Sequence, residues 1–161
     1  MNCPHCADTL MRAKAIDTVS VLVCEGCSGV VVAQNKLVPL LTTLSKSLRD
    51  VIDIETPLEP LPQAHISRTC PDCAQPMTTL AYMGTSLVQA DRCSSCWHVS
   101  ATADELGLMA ALFLRTQKRT DRRQRQLDDM AEGMARSTHM TLAGGRVADR
   151  LASAMIVGGL R

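Results

Sequence analysis

Short hydrophobic runs alternate with polar positions near the start of the chain. The runs at 9–16 and 19–23 flank Asp17-Thr18, and a third run follows at 29–33. This pattern predicts a β-hairpin and a short third strand. A comparable stretch at 69–100 predicts a second unit of the same kind.

The hydrophobic spacing then changes from that of strands to that of a helix. Leucines recur on one helical face at Leu37, Leu40, Leu41, Leu44 and Leu48. Asn35 is placed to cap this helix, and Pro39 would fall at the edge of its first turn, where it costs at most one intrahelical bond.

A second and longer helix is predicted after the second unit. Thr102 and Glu105 have the spacing of a capping box. The apolar face that follows consists of Leu106, Met109, Ala110, Phe113 and Leu114. After Gly107 no glycine or proline occurs before Gly133, so the helix could exceed about 40 Å.

Beyond Leu114 the apolar positions recur on a different side of the predicted helix. Leu127, Met130 and Met134 form a second apolar line. We expect Gly144-Gly145 to break the helix and a last helical segment to occupy 146–157. Between the two units, the three prolines at 56–65 predict an extended linker.

Composition changes this picture of an ordinary globular chain. Hydrophobic residues make up 46% of the 161 residues, but there is only one Trp, one Tyr and one Phe. Aromatic side chains normally supply much of a buried core. The core must therefore be aliphatic, or the fold must be stabilised by something other than packing.

Eight cysteines, all in Cys-x-x-Cys pairs, supply that alternative. In the first half of the chain 17 residues separate one Cys-x-x-Cys pair from the next, and in the second half 19 residues do. Both separations lie inside the window of about 15–20 residues expected for a zinc site. The predicted ligands of two structural Zn²⁺ ions are Cys3, Cys6, Cys24 and Cys27, and Cys70, Cys73, Cys93 and Cys96. Four thiolates complete a zinc tetrahedron and leave no catalytic position.

Other uses of these cysteines are weaker interpretations. Iron, as in rubredoxin, remains a minority alternative, because rubredoxin surrounds its iron with aromatic residues that are scarce here. Nothing around the pairs resembles a thioredoxin pattern. With four thiolates at each site, we expect none of the histidines to ligate metal: His5, His65, His98 and His139. Trp97 is expected to pack over the turn that ends at Cys96.

The order of Cys-Pro-x-Cys, hairpin, Cys-x-x-Cys, short strand and leucine-bearing helix resembles the bacterial TFIIB-type zinc-ribbon family. The first copy keeps Gly29 and Leu37 of the family pattern, and the second keeps Glu105 and Leu106. The resemblance implies two degenerate zinc ribbons in tandem. Its characteristic Trp is replaced by Val31 in the first copy.

These patterns predict a small, metal-stabilised α+β protein. Each zinc ribbon is a hairpin plus a short strand, followed by a helix, and a helical C-terminal extension completes the chain. The predicted segments are ribbon 1 with its helix at 1–50, a Pro-rich linker at 51–68, ribbon 2 with the start of the long helix at 69–114, and a basic helical extension at 115–161.

Charge is unevenly distributed although the formal net charge is only +1. Residues 1–114 carry seven basic and eleven acidic side chains, and residues 115–161 carry ten and five. Near neutrality excludes a globally basic nucleic-acid binder. Six basic residues form a candidate contact for a polyanion or a partner, with a solvated helix face as the alternative: Arg115, Lys118, Arg119, Arg122, Arg123 and Arg125.

The functional prediction is a non-enzymatic, zinc-binding adaptor. No nucleophile–base pair, phosphate loop or paired carboxylates mark an active site. We expect a protein partner, or self-association through the C-terminal helices. The alternative is a transcription-associated nucleic-acid binder that uses the helix near Arg115 to Arg125, and the third hypothesis is a zinc- or redox-responsive switch.

The expected location is the cytoplasm. No signal-peptide pattern is visible at the N-terminus, and paired thiols are typical of a reducing compartment. No apolar stretch reaches the roughly 18 residues that span a bilayer.

Overall fold

A computed structural model of the chain describes residues 1–6, 8–50, 56–62 and 67–158, with side chains up to residue 135. The helices and strands of this part are β1 Met11–Ile16, β2 Val19–Cys24, β3 Val30–Ala33, α1 Gln34–Leu48, β4 Met77–Ala81, β5 Gln89–Cys93, β6 His98–Ala101 and α2 Ala103–Gly158. A single 3₁₀ turn, Tyr82–Gly84, follows β4. The small α+β class is confirmed.

All six strands belong to one antiparallel sheet in the order β1-β2-β3-β6-β5-β4. The first half contributes β1, β2 and β3, and the second half contributes the other three strands. The halves join where β3 pairs with β6, with Val30 opposite Ala101 and Val32 opposite Val99. Each central strand therefore hides from water an edge that it would expose in a separate ribbon.

The sheet presents one aliphatic face to both helices. Val32 and Val99 lie opposite each other on this face, and Leu40 of α1 and Met109 of α2 are fully buried against it. The expectation of an aliphatic core is confirmed, since Tyr82 and Phe113 are only partly buried there.

Helix α1 begins two residues earlier than its capping pattern indicated. Its first residue is Gln34, and the N-cap is Ala33, which makes no side-chain capping bond. The prediction that Asn35 caps the helix is therefore wrong. The chain enters α1 directly from the β3–β6 pair, because the Gln34 N–H donates to the Trp97 carbonyl at 2.9 Å. Pro39 consequently lies inside the helix and supplies no N–H to the Asn35 carbonyl.

Helix α2 starts at the predicted capping box. The Thr102 N–H donates to Glu105 Oε2 at 2.7 Å, and the Glu105 N–H donates to Thr102 Oγ1 at 3.2 Å. The predicted break at Gly144-Gly145 is wrong, because α2 continues through both glycines to Gly158. Glycine weakens a helix by about 1 kcal/mol but keeps the N–H that a helix needs.

The chain divides into two compact units. Residues 1–118 form the first unit, which holds the entire sheet, and the chain from Arg119 onward forms the second. Among the described residues, no helix is both long enough and apolar enough to cross a membrane.

The proline-rich segment between the halves is only partly described. Residues 56–62 form neither helix nor strand, and 63–66 lie outside the described residues. The Leu61 N–H donates to the Leu87 carbonyl at 3.0 Å, and its side chain packs against the aliphatic core. This part of the predicted linker is therefore attached to the second half of the sheet.

Candidate metal centres

The first group of cysteines joins two loops at one end of the first half. Cys3 and Cys6 precede β1, while Cys24 ends β2 and Cys27 follows in the turn to β3. The sulfurs of Cys3 and Cys27 are 3.6 Å apart, and those of Cys6 and Cys24 are 3.9 Å apart. The hairpin formed by β1 and β2 thus brings the two turns together, as their spacing predicted.

The second group repeats this arrangement in the other half of the sheet. Cys70 and Cys73 precede β4, and Cys93 and Cys96 flank the turn between β5 and β6. The Cys73 sulfur lies 3.4 Å from that of Cys93 and 3.6 Å from that of Cys96. The sulfurs of Cys70 and Cys96 are 3.4 Å apart.

Both groups have the dimensions of a tetrahedral metal site. Within each group the four sulfurs lie within 4.8 Å of one another. Zn–S bonds of about 2.3 Å require neighbouring sulfurs about 3.8 Å apart, whereas a disulfide needs about 2.05 Å. All eight cysteines are free thiols, and in each group two are buried and two half-buried. Each group could therefore hold one metal ion.

The backbone of the cysteine turns is shaped to present both sulfurs. In the turns that begin at Cys24, Cys70 and Cys93, the fifth residue has a left-handed backbone. Its N–H donates to the carbonyl of the first cysteine at 3.0 to 3.1 Å. These fifth residues are Ser28, Ala74 and Trp97, with φ of 55°, 57° and 62°.

Backbone N–H groups also stabilise the thiolate form of particular cysteines. The N–H of Gly26 donates to Cys24 Sγ at 3.4 Å. The N–H of Cys27 makes the largest contribution and lowers the pKa of Cys24 to about 7. The N–H of Cys96 similarly lowers the pKa of Cys93 to about 6, although desolvation opposes the shift. Each group thus contains one thiol that ionises near neutral pH.

Other thiols in the same groups are shifted in the opposite direction. A hydrogen bond with the Cys27 thiol raises the pKa of Cys6 to about 12. Desolvation raises the pKa of Cys96 to about 12 and also raises the pKa of Cys3. A metal ion that binds either group must therefore displace protons from the thiols whose pKa is raised.

A buried polar network crosses the sheet on the face opposite the aliphatic core. The register places Thr79, Asp91 and Ser100 side by side on β4, β5 and β6. Asp91 is paired with Arg68 and accepts a 2.6 Å hydrogen bond from Thr79. Ser100 Oγ lies 2.9 Å from His5 Nε2, and burial lowers the pKa of His5.

This network was not identified from the sequence. A signal was present, because Arg68 and Asp91 each stand two residues before the first cysteine of a turn, at Cys70 and Cys93. A charged residue in a strand whose pattern is otherwise half-buried indicates a buried partner of opposite charge. The sequence did not show which basic residue would pair with Asp91.

The six candidate basic residues do not form one uniform surface. Arg115 donates to the Thr56 carbonyl, and Lys118 Nζ donates to the Arg49 carbonyl at 3.3 Å. These two residues thus contact the chain that follows α1. The others are exposed on α2: Arg119, Arg122, Arg123 and Arg125.

Trp97 is more exposed than its position beside Cys96 suggested. Its side chain is 52% exposed, and the guanidinium carbon of Arg92 lies 5.1 Å from the ring centroid. Met83, also left-handed and 50% exposed, lines a cavity of about 170 Å³ together with Leu80 and Arg92. The expectation that Trp97 packs over the cysteine turn stays a prediction.

Comparison of the chain with protein-family models, curated proteins and solved structures found no match. The resemblance to the TFIIB-type zinc-ribbon family accordingly stays a prediction.

Proposed function

We propose that the protein is a non-catalytic binding module whose fold is stabilised by two structural Zn²⁺ ions. The observation that carries this proposal is the pair of four-cysteine groups, with neighbouring sulfurs 3.4 to 3.9 Å apart. Four protein thiolates fill the zinc coordination sphere, so neither centre offers a position to a substrate. The resemblance to TFIIB-type ribbons favours the same metal.

Zinc fits the surroundings of these groups better than iron. The buried hydrophobic side chains that pack with the two cysteine groups are aliphatic or sulfur-containing. Tyr82 and Phe113 pack instead with the aliphatic core under the helices. Rubredoxin-like iron sites, in contrast, are enclosed by aromatic residues. Metal analysis of the purified protein distinguishes the two ions.

A surface around Trp97, Arg92 and Met83 supports a protein as the partner. Trp and Arg are the residue types that most often dominate the binding energy of protein interfaces. The left-handed backbone of Trp97 belongs to its cysteine turn, whereas that of Met83 lies outside the cysteine turns and is costly for a large side chain. The two side chains are nevertheless half exposed. We infer that this Trp97 surface is the docking site.

Affinity purification from nuclease-treated lysate tests the docking site. The Trp97→Ala variant should lose a partner that the wild type retains. Leu127→Ala is the matched control, because it removes an equally exposed side chain (51%) from the second unit. Loss of the partner in the control alone would favour association through the C-terminal helix, contrary to the proposal.

Binding of nucleic acid by α2 is the second candidate. Arg119, Arg122 and Arg123 are exposed on consecutive turns, which suits contact with phosphates. Such binding would weaken with salt, with a log–log slope of about −0.9 for each phosphate neutralised on duplex DNA. It should be abolished when the three arginines are changed to Glu. Binding that survives this change excludes the second candidate.

A further inference from the structure

A third set of metal-binding side chains lies beside the second cysteine group. It consists of Asp72, Cys96 and His98, whose ligand atoms lie within 4.8 Å of one another. His98 Nδ1 is 3.2 Å from Cys96 Sγ and 3.7 Å from Asp72 Oδ2. Asp72 stands between the cysteines of one turn, and His98 is the second residue after the other.

We propose that these three residues bind a third, exchangeable Zn²⁺ ion that shares the Cys96 thiolate with the ion in the second cysteine group. The inference rests on the proposed function, because the shared thiolate is a ligand of a proposed structural zinc. A zinc ion with four thiolates has a net negative charge, which attracts a further cation. A bound thiolate also keeps lone pairs with which it can bridge two ions.

The geometry suits a tetrahedral ion of mixed ligands. Zn–N bonds of about 2.0 Å and Zn–S bonds of about 2.3 Å place neighbouring ligand atoms about 3.5 Å apart. The 3.2 Å from His98 Nδ1 to Cys96 Sγ is slightly below that nitrogen–sulfur value, and the 3.7 Å to Asp72 Oδ2 is slightly above the roughly 3.3 Å that Zn–N and Zn–O bonds require. Imidazole, carboxylate and thiolate are all zinc ligands.

Partial exposure makes the third site accessible from solvent. The side chain of His98 is 25% exposed and that of Asp72 is 40% exposed. Three protein ligands leave the fourth position to water, as in zinc sites that keep an open position. An ion held in this way binds more weakly and exchanges faster than one enclosed by four thiolates.

The first cysteine group lacks the equivalent set. Gly29 stands where the second group has His98, and His5 stands where it has Asp72. A Cβ atom at Gly29 would lie 3.2 Å from both Cys27 Sγ and the His5 ring. The His5 ring instead contacts Ser100. The two groups therefore differ in their capacity for an additional ion.

A hydrogen bond from His98 to the Cys96 sulfur is the competing explanation of the 3.2 Å distance. Metal stoichiometry separates the two explanations, because only a ligand set adds an ion. The proposed third site also reverses our expectation from the sequence that His98 does not ligate metal.

Native mass spectrometry at increasing free Zn²⁺ tests the proposal on the full chain under reducing conditions. The wild type should hold two ions tightly and acquire a third as free zinc rises. His98→Ala and Asp72→Asn should each weaken binding of the third ion by at least about tenfold. Asp8→Asn is the matched control, because Asp8 is exposed in the loop of the first group and belongs to none of the three ligand sets. It should still acquire three ions.

The outcomes separate this inference from the proposed function. Retention of two tight ions by both variants shows that their fold persists. A wild type that stops at two ions overturns the third site alone, and so does a His98→Ala variant that still binds three. A wild type that binds no zinc contradicts the proposed function and overturns the third site with it.

Discussion

His5 Nε2 lies 2.9 Å from Ser100 Oγ, so the first cysteine turn is bonded to the central strand of the other half of the sheet. Ser100 is fully buried, and the strand that carries it pairs with β3 of the first half. The two halves are therefore joined by polar contacts at the metal end as well as by strand pairing.

Replacing Ser100 with Ala should lower the free energy of unfolding of the zinc-loaded protein by about 1 kcal/mol or more, because His5 loses its buried partner. Ser20→Ala, on an exposed position of β2, should change stability by less than about 0.5 kcal/mol. Urea denaturation measures both. Equal effects of the two substitutions would show that the contact does not contribute.

The core shared by the halves predicts a cost for Val99→Ala. Val99 is 5% exposed and packs between side chains from both halves, so the substitution should cost about 2–3 kcal/mol. Val38→Ala, at a position 57% exposed, is the matched control and should be nearly neutral. Native-state hydrogen exchange should give the same opening free energy for the central strands of both halves of the sheet. Halves that open at clearly different free energies would contradict a shared core.

Two ion pairs of the same chemistry but different burial give a third prediction. Asp91→Asn leaves the Arg68 charge buried without its carboxylate and should cost about 3–5 kcal/mol. Arg12 and Glu25 form a pair at 2.8 Å whose side chains are 75% and 62% exposed, so Glu25→Gln should cost less than about 1 kcal/mol. Thermal unfolding measures the loss of stability in both variants. Similar losses for Asp91→Asn and Glu25→Gln would show that burial does not decide how much each ion pair contributes.

The pKa shifts predict how zinc binding depends on pH. The pKa values of Cys24 and Cys93 are lowered to about 7 and about 6, so these thiols carry few displaceable protons at pH 8. The thiols whose pKa is raised remain protonated there: Cys3, Cys6, Cys73 and Cys96. Zinc binding at pH 8 should therefore release at least these four protons, and more as the pH falls through 7 and 6.

Calorimetry in two buffers of different ionisation enthalpy measures the number of protons released. The same shifts act on the metal-free fold, since a folded pKa below the ordinary thiol value stabilises the protein at high pH. The contributions of Cys24 and Cys93 are lost as the pH falls from about 9 through 7 and 6. Proton release that stays constant between pH 5.5 and 8 would contradict these assignments.

The cysteine spacing was enough to predict the local structure of each half. Paired turns that must meet around one ion require the chain between them to fold back, which gave the β1–β2 hairpin. The reciprocal bonds of Thr102 and Glu105 were also predictable, because both partners lie within one turn of helix.

Contacts between distant parts of the chain were not predictable in this way. Nothing in the residues of β3 shows that this strand pairs with β6, with Val32 opposite Val99, rather than leaving its edge exposed to solvent. That pairing fixes Gln34 at the Trp97 carbonyl, which moves the start of α1 and leaves Asn35 without a capping role.

Metal analysis of the purified protein tests the central claim most directly. After purification under reducing conditions and exposure to a weak chelator, we expect two zinc ions per chain and no rapidly titrating thiols. Iron in place of zinc, or eight freely titrating thiols in the folded protein, would contradict it.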